Sequence, residues 1–162
     1  MEPVEFSKHT QIVQEGKHNS NLYLISQGII RAYSMVDGTD ITQWFGSEGE
    51  ILFSVWSYVS NSVSRITFET LTDCSAYYIS RARLNELFNS SIEMSTLGRK
   101  LIEQHCLLVE DWWLDLEKPT AKERYLAVLE KSPELLLQVP LRQIASYLRI
   151  TPQSLSRIRA EL

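Results

Sequence analysis

The sequence predicts an α+β chain: an antiparallel β region, then one long helix, then a small helical region ending in a helix-turn-helix. Three observations predict it. The first eighty residues hold short β-branched and aromatic runs divided by glycine turns. Residues 91–116 contain no proline and one glycine, Gly98, with apolar residues at helical spacing. The closing segment, LRQIASYLRITPQSLSRIRAEL, places two short apolar helix faces around a turn.

The strands follow in order. NLYLIS (21–26) runs into Gln27-Gly28. IIRAYSMV (29–36) precedes Asp37-Gly38, a two-residue hairpin signal. ITQWF (41–45) ends at Gly46-Ser47-Glu48-Gly49, and the apolar, aromatic stretch 51–59 joins the series. RITFETL (65–71) alternates, with Ile66, Phe68 and Thr70 on one face and Arg65, Thr67 and Glu69 on the other. SAYYI (75–79) is the last. Such a series suits a sandwich, a barrel or a jelly roll.

The period then changes. SRARLNELF (80–88) has helical spacing behind a serine cap. The helix over 91–116 would be about 39 Å long at 1.5 Å per residue. It carries two apolar stripes: Met94, Leu97, Leu101 and Leu108, and Ile102, His105, Val109, Trp112 and Leu116. One stripe serves the helix's own domain, and a second calls for another partner. The second is therefore assigned to a dimer interface. Pro119 breaks the helix. Thr120 and Glu123 form a capping-box pair opening a helix over 121–131, which Ser132-Pro133 ends. A short apolar element at 135–137 precedes Val139-Pro140. Ile144, Ala145 and Leu148 then make one helix face, Ile150 sits in the turn, and Thr151-Pro152 starts a second helix whose Leu155 and Ile158 face back.

Composition narrows the function. The 162 residues carry a formal charge of −4, two cysteines far apart, and no apolar run near the roughly 18 residues of a membrane span. Neither a secretory leader nor a disulfide framework is visible, so a cytoplasmic location is expected. The total charge hides an asymmetry. In residues 1–118 nine Lys/Arg against sixteen Asp/Glu leave −7, whereas in residues 119–162 seven against four leave +3. The basic part coincides with the helix-turn-helix.

On the second helix of that motif, Gln153, Ser154, Ser156, Arg157 and Arg159 are not needed for packing. Gln can bond adenine N6 and N7 together, and Arg can bond guanine O6 and N7. Ser and Thr at a helix start suit a phosphate. In these residues the chain resembles the CRP/FNR superfamily of bacterial transcription regulators. The likeness spans nearly the whole chain. It rests on QEGKHNSNLYLISQGIIRAYSMVDGTDITQWF, on the long helix, and above all on TAKERYLAVLE followed by VPLRQIASYLRITPQSLSRIR.

The resemblance implies a sensor jelly roll over 1–90, a dimerisation helix over 91–118 and a DNA-binding helix-turn-helix domain over 119–162. It implies base reading by Gln153, Ser156 and Arg157, and phosphate contacts by Thr151 and Ser154. Arg149 and Arg159 are added as phosphate contacts. Arg149 also stands where the family commonly has a glycine at positive φ. The implied partners are a near-palindromic DNA duplex and a second copy of the chain, with RNA polymerase a further candidate.

Several features depart from the family. Its cyclic-nucleotide members hold the ligand phosphate with a Gly-Glu pair and an Arg. Ungapped alignment puts Phe53-Ser54 and Ser64 at those places, with Arg65 next to the last. Ser54, Ser64 and Arg65 are thus the candidate effector pocket, and tight cyclic AMP binding is not expected. The two cysteines cannot supply a four-ligand iron–sulfur cluster. No metal or cofactor is predicted, the effector is unassigned, and no enzymatic constellation appears. After the second helix of the motif no room is left for a β wing. The competing reading is a ligand-binding or interaction module with a vestigial helix-turn-helix.

Overall fold

A computed structural model describes residues 1–161; Leu162, the end of the expected DNA-binding domain, lies outside the described residues. The chain forms two compact units, Met1–Leu84 and Asn85–Leu162.

The first unit is an antiparallel jelly roll of two four-stranded sheets. One has the order β1-β8-β3-β6 and the other β2-β7-β4-β5. The strands are β1 (Glu2–Phe6), β2 (Gln11–Val13), β3 (Leu22–Gln27), β4 (Ile30–Val36), β5 (Thr39–Gly46), β6 (Ile51–Leu52), β7 (Thr67–Thr70) and β8 (Cys74–Ile79). Ile12, Val13, Tyr23, Ile25, Ile30, Ala32, Leu52, Phe68 and Cys74 form the core. Asp37 and Gly38 both take positive φ, 49° and 77°, as the β4–β5 hairpin turn requires.

Three elements differ from the sequence reading. The stretch 51–59 is not a strand: β6 stops at Leu52 and helix α1 (Val55–Ser60) follows. Ser54 caps it, its hydroxyl accepting from the Ser57 amide at 3.3 Å. The valines and aromatics of this run suit a strand, and the cap overrides that preference. Strands β1 and β2 have no counterpart in the sequence reading. In β1, Val4 and Phe6 pack on the core, while Glu5 and Glu2 accept from the Ser75 hydroxyl and the Tyr78 phenol at 2.6 and 2.7 Å. An acidic, proline-bearing edge strand has too few apolar residues to register as β.

Helix α2 (Arg81–Phe88) leads from β8 toward the second unit, which contains α3 (Ile92–Leu116), α4 (Ala121–Lys131), α5 (Pro133–Gln138), α6 (Leu141–Tyr147) and α7 (Pro152–Ala160). Ser91 caps α3 by accepting from the Met94 amide. Gly98 is buried where a Cβ would come within 3.1 Å of the Phe88 ring. Both halves of the Thr120–Glu123 capping box are made. Tyr125, Ala127, Leu135, Val139, Ile144, Ala145, Leu148 and Leu155 are buried. The 1% exposure of Ala145 lets α6 and α7 cross closely, with Leu148 and Leu155 fully enclosed beside it.

Candidate nucleic-acid interface

The site begins with the turn between α6 and α7. The Ile150 amide donates back to the Ala145 carbonyl at 3.0 Å and the Arg149 amide to that of Ser146 at 3.0 Å. Closing this way sends the chain through a left-handed residue, Arg149, at φ 57°. Thr151 then caps α7: its Oγ1 accepts from the Ser154 amide at 3.2 Å and lies 3.0 Å from the Ser154 hydroxyl. Pro152 follows at the first helical position, where its missing N–H costs nothing.

Leu155 turns inward, and its burial settles which residues of α7 face out. Gln153, Ser156, Arg157 and Arg159 are exposed, as are Arg149 and Thr151; Ser154 is half-buried. Arg149, Arg157 and Arg159 form no ion pair among the described residues. The first turn of α7 holds no acidic residue. The exposed positions of the turn and of α7 thus offer guanidinium forks, an amide and hydroxyls. Those groups can bond base edges and phosphates.

The long helix α3 presents a second surface. Ile102, Val109 and Trp113 are exposed by 49%, 47% and 57%, and Cys106 is exposed too. Leu107, Leu108 and Leu114 are exposed as well, Leu108 contrary to its assignment to the helix's own domain. Among the exposed positions Ile102, Cys106, Val109 and Trp113 are spaced 4-3-4, the pattern of a coiled-coil seam. His105, Trp112 and Leu116, of the expected dimer stripe, are half-buried instead. Burial pushes the His105 imidazole down from its ordinary value. Cys106 and Trp113 escape the sequence reading because apolar spacing alone phases the stripe, without knowledge of which face the unit itself covers.

The junction of α3, α4 and α6 contains groups the sequence does not single out. Asp115 accepts from Lys118 and, at 2.6 Å, from Lys131. Burial alone would raise its carboxyl, but these two bonds outweigh burial and hold it below the usual carboxylate range. The Tyr147 phenol is pushed up to about 12, chiefly by burial and further by the charge of Asp115, with Trp112 opposing. Arg124 of α4 donates from Nη1 to the Lys118 carbonyl at 2.8 Å and from Nε to the Leu148 carbonyl at 3.2 Å. Only its long reach, invisible in a linear sequence, makes it part of the site.

In the jelly roll, Ser54 and Ser64 are buried and engaged locally. Ser54 caps α1, while the Ser64 hydroxyl donates to the Ile66 carbonyl at 2.8 Å. Arg65 is exposed, with its guanidinium 5.7 Å from the Trp56 ring centre. No hydrogen bond among the described residues joins the three. The buried arginine of this unit is instead Arg31. It bonds Glu69 through Nε and Nη2 at 3.1 and 3.0 Å and Asp40 through Nη2 at 3.2 Å. The two carboxylates occupy Nε and Nη2, while its buried Nη1 has no hydrogen-bond partner among the described residues. Among the described residues, no helix is long and apolar enough to cross a membrane.

A family profile described as cyclic nucleotide-binding domain matches residues 3–91. No curated protein sequence matches the chain. Among solved structures, FixK2 from Bradyrhizobium japonicum is similar over 99% of this chain and 83% of its own, with 23% identity and a TM-score of 0.82. TTHB099, a CRP-family transcriptional regulator from Thermus thermophilus, is similar over 98% and 83%, with 18% identity and a TM-score of 0.76. The c-di-GMP responsive global regulator CLP from Xanthomonas campestris is similar over 98% and 84%, with 18% identity and a TM-score of 0.72.

Proposed function

The chain belongs to the cyclic nucleotide-binding domain family and has the CRP/FNR fold, and from that premise we propose that it is a homodimeric, sequence-specific DNA-binding transcription regulator. The observation that carries this reading is the exposed side of α7 and its entry turn, where Arg149 precedes the capped helix start and Arg157 and Arg159 lie in the last turn, all three without an ion pair among the described residues. Gln153, Ser156 and Arg157 read base edges. Thr151, Ser154, Arg149 and Arg159 hold phosphates. Such work places the protein in the cytoplasm.

Dimerisation is part of the proposal, because a single reading helix of nine residues covers only a half-site. The partner is a second copy packed along α3. Ile102 and Val109 remain in the interface as first assigned, and the exposed positions Cys106 and Trp113 extend it. His105, Trp112 and Leu116 flank that seam. Two readers on a two-fold axis engage half-sites about 34–36 Å apart, the spacing known for helix-turn-helix dimers.

The jelly roll senses an effector other than cyclic AMP. A buried phosphate needs an Arg fork and free amides. Ser54 and Ser64 spend their hydroxyls on backbone, and Arg65 lies out over Trp56.

The test is selection of duplexes from a random-sequence pool by the full chain. The expected result is a near-palindromic consensus. On that consensus, affinity should fall with salt at a log–log slope of about −0.9 per phosphate contacted. Arg157→Ala should cost about 1–3 kcal/mol at one base position and relax preference there. Recovery of no consensus would overturn the reading.

A further inference from the structure

Arg124 touches two carbonyls that belong to different parts of the reader. Lys118 lies in the break after α3, and Leu148 ends α6 directly before the left-handed Arg149. Carbonyls at helix ends have no intrahelical donor, and a cation suits them electrostatically. The guanidinium is planar and rigid, so satisfying both carbonyls at 2.8 and 3.2 Å fixes the distance between the hinge and the turn. The same junction is tied by Asp115 to Lys118 and Lys131. Arg124 itself is half-buried and faces inward on α4, away from any role as a phosphate contact.

We propose that Arg124 is a positioning residue that clamps the hinge after α3 to the turn before the reading helix, so that α3 sets the separation of the two readers in the dimer. The inference rests on the DNA-binding reading above. It adds a specificity determinant that touches no nucleotide. Without the clamp each reader keeps its own half-site chemistry but loses its fixed place relative to the other. Affinity gained from binding two half-sites at once depends on that geometry.

The experiment compares wild type, Arg124→Gln and Arg124→Lys, each checked for wild-type helicity. The probes are duplexes selected by wild type, their isolated half-sites, and versions with one base pair inserted or removed between half-sites. Arg124→Gln should bind the full site about tenfold more weakly, bind the half-site within about twofold of wild type, and show a flattened dependence on half-site spacing. Arg124→Lys, which reaches one carbonyl, should fall between. Independently of DNA, amide exchange at Arg149 and Ile150 should quicken by about tenfold or more in Arg124→Gln while the middle of α3 stays protected. Equal losses on half and full sites, or unchanged exchange at the turn, would overturn the clamp. Failure of wild type to select any duplex would sink the DNA reading, and the exchange measurement alone would then decide whether Arg124 holds the turn.

Discussion

Arg149 adopts φ 57°, a conformation that disfavours a Cβ by about 1 kcal/mol. Arg149→Gly should therefore raise stability by about that amount, read as an upward shift of the urea midpoint. It should also weaken duplex binding, because the guanidinium is lost; a tighter complex would remove Arg149 from the phosphate contacts. Gly28 presents the opposite case. At φ 100°, an added Cβ would lie 2.5 Å from Cys74 Sγ and 2.7 Å from the Asp73 carbonyl oxygen. Gly28→Ala should destabilise the jelly roll by about 2–3 kcal/mol, since backbone cannot yield as a flexible side chain can. Tyr147 gives a pH signature. Its folded pKa, about 12, lies above the ordinary 10.0, so its stabilising contribution is complete below pH 10 and is lost as pH rises toward 12. Absorbance titration should show a tyrosine ionising near pH 12 that is absent in Tyr147→Phe. Of these residues, the turn positions of Arg149 and Gly28 were legible in the sequence. The crowding at Gly28 and the burial of Tyr147 arise from contacts distant along the chain.

At the level of elements, local chemistry was the readable part. The Thr120–Glu123 capping box, the Asp37-Gly38 turn and the Thr151-Pro152 helix start each depend on residues within four positions, and each is formed. Thr120→Ala should cost the second unit about 1 kcal/mol, measured by circular dichroism during urea unfolding. The unread elements needed tertiary context. β1 and β2 exist because β8 and β7 supply the pairing, and α1 because Ser54 caps a run that propensity assigns to a strand. The phase of α3 had the same origin: spacing identified apolar stripes, but only the packed unit shows which residues remain uncovered.

For the molecule as a whole, the proposed assembly makes a direct claim about Cys106. At the midpoint of the exposed seam, each Cys106 of a parallel two-fold dimer faces its own copy. Mild oxidation with copper phenanthroline should give a covalent dimer on a non-reducing gel, and Cys106→Ser should abolish it. Cys74 is buried and should not substitute. If the band appears only at protein concentrations where random collisions dominate, α3 is not the interface. Charge also acts at this scale. The front 118 residues carry −7 and the remainder +3, so on the proposed reading bulk attraction to DNA would be weak and recognition would depend on two correctly spaced readers.

The pairing of β1 with β8 has a consequence in time. Glu2 is registered against Tyr78 and Phe6 against Cys74, so β1 waits during synthesis for the last strand of its sheet. At roughly 5–20 residues per second of synthesis, that wait is about 4–15 s. Throughout it, β1 has no strand to pair with. Nascent chains arrested before β8 emerges should therefore be cut readily by protease near their start, and chains arrested well beyond it should resist.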